Sequence, residues 1–206
     1  AQKAFRVPFP GTSITEINPD LFLLEIVWWP PFETLAGAAA AEKPKLLQSM
    51  KEETDYEVLD EIPFWSNGEG FTNKKRTRLY LYDVKTKDLS PITGETFLAE
   101  TPQLDETHER FAFTGIDFSD KLEIRNDVYL YTLKDKSLEK FSMGETFLTD
   151  YVDFWDKDTL FVVGQEQRNY GINENPKFYA FCLKDKTLRC LTPELDLAPG
   201  NALNSD

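Results

Sequence analysis

The sequence is short of the residues that most site chemistry needs. It has one histidine and two cysteines, with neither a CxxC nor an HExxH pattern, so the ligand spacings of a zinc site are missing. Carboxylates are plentiful but form no D-x-D-x-D-G loop of the kind that wraps calcium. No metal or other cofactor is therefore expected. Basic residues are in deficit too: 23 Lys and Arg stand against 36 Asp and Glu, a net charge of −13. Neutralising a phosphate backbone takes the opposite balance, so no nucleic-acid partner is expected. Long apolar runs are also absent. The stretch LFLLEIVWWPPF is interrupted by Glu25 and falls short of the roughly 20 residues of a membrane span, so no membrane partner is expected either.

A nucleophile is missing as well. The G-x-S-x-G elbow, which exposes a serine on a sharp strand-to-helix turn, does not occur. A catalytic triad also needs a histidine as general base. The lone His108 lies in DETHER, between two apolar runs, and reads as an exposed turn residue. By itself the chain is expected to be catalytically silent.

What the sequence does contain is repetition. GETFL occurs at Gly94–Leu98 and again at Gly144–Leu148. Around it three segments align: RLYLYDVKTKDLSPIT from Arg78, DVYLYTLKDKSLEKFS from Asp127 and KFYAFCLKDKTLRCLT from Lys177. Tyr80, Tyr129 and Tyr179 share one column, at steps of 49 and 50 residues. Lys87, Lys136 and Lys186 share a second, and Leu89, Leu138 and Leu188 a third. LDETHERFAFTG and VDFWDKDTLFVVG superpose at the same offset through Gly115 and Gly164. A period in this range marks a stacked or radial array.

Each unit reads as four short strands. LYLYDV, VYLYTL and FYAFCL alternate with the period of two of half-buried strands, and KTKD, KDKS and KDKT supply tight reversals. Four antiparallel strands per repeat make a β-propeller blade. The expected fold class is all-β, a partial propeller of about three complete blades. Residues 1–10 read as the last strand of a preceding blade, 11–93 as a blade with an insertion, 94–142 as a second blade, 143–192 as a third, and 193–206 as the start of a next blade or a tail.

The insertion comes from the period itself. ITEINPDLFLLE resembles an outer strand pair, yet its partner RLYLYDV begins only at Arg78, which places roughly 40 extra residues within 29–75. AAAAEKPKLLQSMKEE predicts a short helix around Pro44 to Glu53, with proline in its first turn. DYEVLDEIPFWSNGEGF predicts an extended arm ending in a Gly-containing turn. Three blades fall short of the about 4 to 8 of a closed ring. A fragment of a longer protein is the simplest expectation, with a half-propeller that closes by oligomerising as the alternative. Open blade edges would invite self-association.

EIPFWSNGEGFTNKKRTRLYLYDVKTKDLSPIT, followed by an aromatic-alternating blade and an LTPEL terminus, resembles the propeller of bacterial serine peptidases of the prolyl oligopeptidase family, in its acylaminoacyl-peptidase and dipeptidyl-peptidase-like branches. The resemblance runs from Gln2 to Leu197. It is sharpest at Phe64 and Trp65, Gly68 and Gly70, Lys74 to Arg76, and Asp83. AGAAAA, from Ala36 to Ala41, has no counterpart. The resemblance implies a non-catalytic propeller that gates and orients short peptides for an α/β-hydrolase domain of the same parent chain, lying outside these residues. A propeller-type protein interaction module with no enzymatic activity is the alternative.

Peptide ends held in a partly enclosed chamber suit aromatic platforms with a few charges. The candidate substrate contacts are Phe64, Trp65, Asn67, Glu69, Phe71 and Arg76 in and just after the insertion, with Arg168, Asn169 and Tyr170 in QEQRNYGINENP. Glu69, in its Gly-flanked turn, would receive a substrate amino terminus. Alternatively, Phe64 and Trp65 anchor the arm, and Arg76 and Arg78 pair with nearby carboxylates. Cys182 and Cys190 flank one hairpin, but the other repeats have Asp83 and Pro91, then Thr132 and Lys140, near those positions. The repeat thus requires no bridge, and two thiols in a reducing, cytoplasmic compartment are expected. The lysine-bearing hairpin tips (Lys85, Lys87, Lys134, Lys136, Lys184, Lys186) would share one face of a propeller, as a solvated surface.

Overall fold

A computed structural model of the chain describes residues 11–29, 35, 38–52, 59–63, 65–67, 70–72 and 74–196. The strand expected at 1–10, the candidates Phe64 and Glu69, and the tail from 197 lie outside the described residues. Two compact units divide the chain: residues 1–98 with 117–122, and residues 99–116 with 123–206.

In the first unit, β1 (Gly11–Asn18) and β2 (Leu21–Trp28) form a hairpin. Helix α1 (Lys43–Glu52) and the small hairpin of β3 (Trp65–Ser66) and β4 (Gly70–Phe71) follow. Only then does the chain return as β5 (Arg76–Asp83), which pairs with β2 from Leu21 opposite Asp83 to Trp28 opposite Arg76. β6 (Leu89–Pro91) completes a four-stranded antiparallel sheet of order β1-β2-β5-β6. β5 buries both faces, Leu79 and Leu81 on one and Tyr80 and Tyr82 on the other. Leu24, Ile26, Tyr80 and Tyr82 make one core cluster.

In the second unit, β7 (Phe97–Leu104), β8 (Arg110–Asp117), β9 (Asp127–Thr132) and β10 (Ser137–Phe141) form the second sheet, entering from the unit boundary. The third comprises β11 (Leu148–Asp156), β12 (Thr159–Gln165), β13 (Lys177–Cys182) and β14 (Thr187–Cys190). Each sheet is antiparallel and meanders in chain order, as a propeller blade does. They pack face to face: Ala112, Val128, Leu130 and Phe141 of the second meet Val152, Leu160, Val162, Tyr179 and Phe181 of the third.

Phe147 sits between these sheets. The GETFL turn closes with Phe147 N–H donating to the Gly144 carbonyl at 3.2 Å. It directs the ring against Tyr179, centroids 5.0 Å apart and edge to face. It can do so only because β12 carries a glycine there. A Cβ on Gly164 would lie 2.5 and 2.9 Å from Phe147 ring carbons and would collide with the Leu148 carbonyl.

The hairpin reversals share one device. Lys87, Lys136 and Lys186 each adopt a left-handed backbone, with φ of 62°, 55° and 57°. In the second and third hairpins an aspartate secures the turn: Asp135 accepts from the Ser137 hydroxyl at 2.8 Å, and Asp185 from the Thr187 hydroxyl at 2.6 Å. No helix among the described residues is long and apolar enough to cross a membrane.

Gly164→Ala is expected to lower unfolding free energy by about 1–3 kcal/mol, because the added methyl would be caught between the Phe147 ring and the Leu148 carbonyl. Gly94→Ala, where a Cβ meets nothing within 4 Å, should change stability by no more than about 0.5 kcal/mol. Urea unfolding followed by far-ultraviolet circular dichroism compares the two. Equal losses would mean that the Phe147 wedge yields freely.

Candidate functional site

The arm that leaves the first sheet between β2 and β5 is fastened by a buried ion pair. Arg76 is the first residue of β5, and its side chain is 4% exposed, as is that of Glu61. Arg76 Nη2 donates to Glu61 Oε2 at 2.7 Å, and Nη1 to the Lys75 carbonyl at 3.0 Å. The guanidinium carbon lies 3.8 Å from the centroid of Phe118, a cation–π contact in a desolvated setting. Glu61 Oε1 also accepts the Lys74 amide at 3.0 Å. Burial alone would raise the Glu61 pKa, but the donors from Arg76 and the Lys74 amide hold it below the ordinary value. Glu61 is further fixed by its neighbour Ile62, which exchanges backbone hydrogen bonds with Asp120 and Leu122 at 2.8 and 2.7 Å.

On this base stands the β3–β4 hairpin. Trp65 and Phe71 face each other in register and meet edge to face at 5.1 Å. Trp65 is 52% exposed and Phe71 half-buried, so the pair offers a partly open aromatic surface. Asn67 is exposed in the turn between them. The Thr72 hydroxyl donates to the Pro63 carbonyl at 3.0 Å and ties the hairpin's two ends together.

The structure therefore brings Trp65, Asn67 and Phe71 onto one hairpin, and Arg76 is engaged with Glu61 rather than presented to solvent. Arg78, two residues along the same strand, is equally buried. It donates to the Thr93 carbonyl at 2.8 Å through Nη2 and stacks on Trp28 and Tyr80 at 5.0 and 5.2 Å.

Arg168, Asn169 and Tyr170 belong to the other unit, in the loop between β12 and β13. Glu174 organises this loop. Its Oε1 accepts the backbone amides of Asn169 and, at 3.0 Å, Tyr170, and those two bonds depress its pKa. Gln165 Nε2 reaches the Ile172 carbonyl at 3.3 Å. Arg168 pairs with Glu166 at 2.8 Å on the surface, and Tyr170 projects at 76% exposure. Asn169 and Tyr170 line an open cleft of about 320 Å³ together with Glu174, Lys177, Glu194 and Asp196.

Two supporting residues escaped the sequence reading. Glu61 is fifteen positions from Arg76, a separation with no local periodicity to flag it, and Phe118 comes from a different segment altogether. Glu174 left only a faint signal, an acceptor at the end of an Asn- and Gly-rich loop. His108 is exposed in the β7–β8 turn with φ 56°. Among the described residues no three His, Cys, Asp or Glu side chains gather as a metal site. Cys182 and Cys190 are both free thiols.

No family model and no curated protein matches the sequence. Solved structures do. The acylaminoacyl peptidase of Pyrococcus horikoshii is 15% identical and superposes with a TM-score of 0.53, over 90% of this chain and 26% of that one. The β-propeller domain of the Trilobed protease from Pyrococcus furiosus gives 12%, 0.48, 86% and 41%. A puromycin-hydrolyzing peptidase of Mycobacterium tuberculosis gives 9%, 0.49, 91% and 21%. The chain thus spans between about a fifth and two fifths of the structures it resembles. At these identities the likeness is one of fold. The expected fold class, a partial β-propeller of four-stranded antiparallel sheets, is borne out.

Removing one partner of a buried pair strands the other's charge, so Glu61→Gln is expected to cost about 3–5 kcal/mol at neutral pH. Because the folded pKa of Glu61 is depressed, its contribution is complete above the ordinary glutamate value and is lost as pH falls through the lowered one. The stability gap between wild type and Glu61→Gln should therefore narrow between pH 7 and about pH 3. Urea titrations at the two pH values measure it, and a gap that stays constant would count against the pair.

Proposed function

We infer that this chain is the non-catalytic propeller portion of a serine peptidase acting on short peptides, with the α/β-hydrolase catalytic domain lying outside these 206 residues. The observation that carries the reading is the arm between β2 and β5. A propeller-type sheet has no structural need to send its chain out between adjacent strands, tether it with a buried Glu61–Arg76 pair and present a half-open Trp65–Phe71 platform. The fold likeness to an acylaminoacyl peptidase supports it, as does the sequence resemblance centred on the same arm.

In this reading the sheets exclude folded proteins and the hairpin orients peptide ends. Trp65 and Phe71 supply stacking surface, and Asn67 a hydrogen-bonding group. Arg76 acts through the arm's position. Glu69 and Phe64, next in sequence to Gly70 and Trp65, are assigned the carboxylate for a substrate amino terminus and a further ring. Arg168, Asn169 and Tyr170 form a second contact region on their own loop.

The test uses the complete native product. Its intact mass should exceed 23.8 kDa, and it should cleave short chromogenic peptides in a manner blocked by a serine-reactive phosphonate. Within it, Trp65→Ala should raise KM about tenfold with kcat little changed, the signature of lost uniform binding. A native product of this chain's own mass, inert toward such peptides, would overturn the reading in favour of an interaction module.

A further inference from the structure

The second and third sheets carry a carboxylate in the same column, two residues past the GETFL leucine: Glu100 and Asp150. In the second sheet that carboxylate has a donor. The Thr114 hydroxyl, on β8 and fully buried, donates to Glu100 Oε2 at 3.5 Å. In the third sheet the Thr114 column holds Val163, one residue before the shared glycine, and valine has no polar atom to give. Asp150 accordingly has no hydrogen bond and no ion pair among the described residues. It is exposed, yet the protein crowds its carboxyl enough that burial alone pushes the pKa up from the ordinary aspartate value. A carboxylate that solvent reaches but hydrates poorly sits in a recess. The third sheet has kept the charge of this column and dropped its partner.

The backbone that presents Asp150 is held firmly. In the ladder Thr149 stands opposite Gly164 and Tyr151 opposite Val163, which leaves Asp150 as the extra residue of a bulge, a device that re-aims one side chain out of the regular alternation. Asn126 fixes the residue before it. Its side chain donates through Nδ2 to the Thr149 carbonyl at 2.7 Å and accepts the Thr149 amide through Oδ1 at 2.9 Å. Leu148, two residues before Asp150, stands opposite Gln165, the last residue of β12. The loop carrying Arg168, Asn169 and Tyr170 thus leaves from a row roughly 7 Å along the strand from Asp150. β11 is an edge strand, with β12 on one side only. A further sheet stacked face to face beside the third would cover its face and leave that edge as it is.

We propose that Asp150 receives a primary ammonium group of the bound peptide, carried by its amino terminus or by a lysine side chain. An unpartnered, poorly hydrated carboxylate gains most from a ligand that brings both positive charge and donors, and an ammonium brings one charge and three N–H groups. The basic side chains of the adjoining loop and of β13 are engaged elsewhere: Arg168 pairs with Glu166, and Lys177 donates to the Pro193 carbonyl at 2.5 Å. The inference rests on the peptidase reading for the ligand's being a peptide, and adds to it an anionic specificity contact in the second unit.

Equilibrium binding to the complete native product, its nucleophile capped by a small sulfonyl fluoride, tests this with three probes: tri-alanine amide, its N-acetyl derivative, and N-acetyl-Ala-Lys-Ala amide. At least one of the two ammonium-bearing probes should bind about tenfold more tightly than the acetylated tri-alanine amide, and which one does so identifies the source of the ammonium. Asp150→Asn should abolish that preference and leave the Kd of the neutral probe unchanged. It should also leave the urea midpoint at neutral pH unchanged or slightly raised, because a carboxylate whose pKa rises on folding costs stability when ionised. An Asp150 with only a structural role would instead give a lowered midpoint and equal weakening of all three probes. Wild type that binds the three probes alike, or none of them at about 1 mM, overturns the proposal, as does a preference that survives Asp150→Asn. Hydrolysis is read in none of these arms. A product inert toward peptides that still shows the preference counts against the peptidase reading alone, and an active one without it counts against Asp150 alone.

Discussion

The contact on which the second unit's architecture depends is the one between Phe147 and the bare backbone of Gly164. Two twisted sheets can stack only if the gap between them is filled without forcing them apart. The GETFL turn fills it with one ring, delivered by a short reversal rather than by either sheet's own strands. The ring is 3% exposed and lies against Tyr179, so it bears on β12 and β13 at once. Burial of a ring of this size is worth about 1.5–3 kcal/mol. That is a large share of the margin of a small unit. The turn's Gly144, with φ of 142°, lies in a region closed to most side chains. This second copy of the turn therefore needs glycine at both ends of the contact, and for different reasons: conformation at Gly144, space at Gly164.

That pairing of causes explains why the fold was legible. A repeated sequence is informative when each column performs the same physical task in every copy, and here several do. Thr93 and Thr192 each accept a backbone amide at 3.1 Å, from Leu79 and Phe178, and so close the last strand of the first and third sheets onto the strand beside it. The lysine column marks a left-handed residue in each hairpin. The tyrosine column marks the third strand of each sheet, where Tyr80, Tyr129 and Tyr179 are all buried. The helix around Pro44 was legible from composition and observed at Lys43–Glu52.

The site was far less legible, because its determinants are long-range. Trp65, Asn67 and Phe71 could be picked out as a Gly-turn with aromatics. Whether Arg76 met substrate or structure could not be decided from its neighbours in sequence. In the fold it meets a carboxylate fifteen residues upstream and a ring from a segment beyond β8. Arg76 and Arg78 are two residues apart on one strand and so point to one face, yet they are satisfied in different ways. The first is neutralised by Glu61. The second leans on a carbonyl and two aromatic faces, the arrangement that a planar, weakly hydrated guanidinium tolerates and an ammonium would not.

The cysteine pair shows how register overrules spacing. Cys182 and Cys190 flank a hairpin and look bridgeable in sequence. In the ladder Cys182 stands opposite Thr187 and Cys190 opposite Tyr179. Cys190 is therefore three residues beyond the partner of Cys182, an odd step along a strand whose side chains alternate faces. The thiols lie on opposite sides of the sheet, Cys190 packed toward the core shared with the second sheet and Cys182 on the open face. A disulfide would require the strand to slip by an odd number of residues. That slip would turn Leu188 out of the same core, and burial on one face is what fixes a strand's register. The hydrophobic pattern that stacks the two sheets thus also keeps the thiols apart.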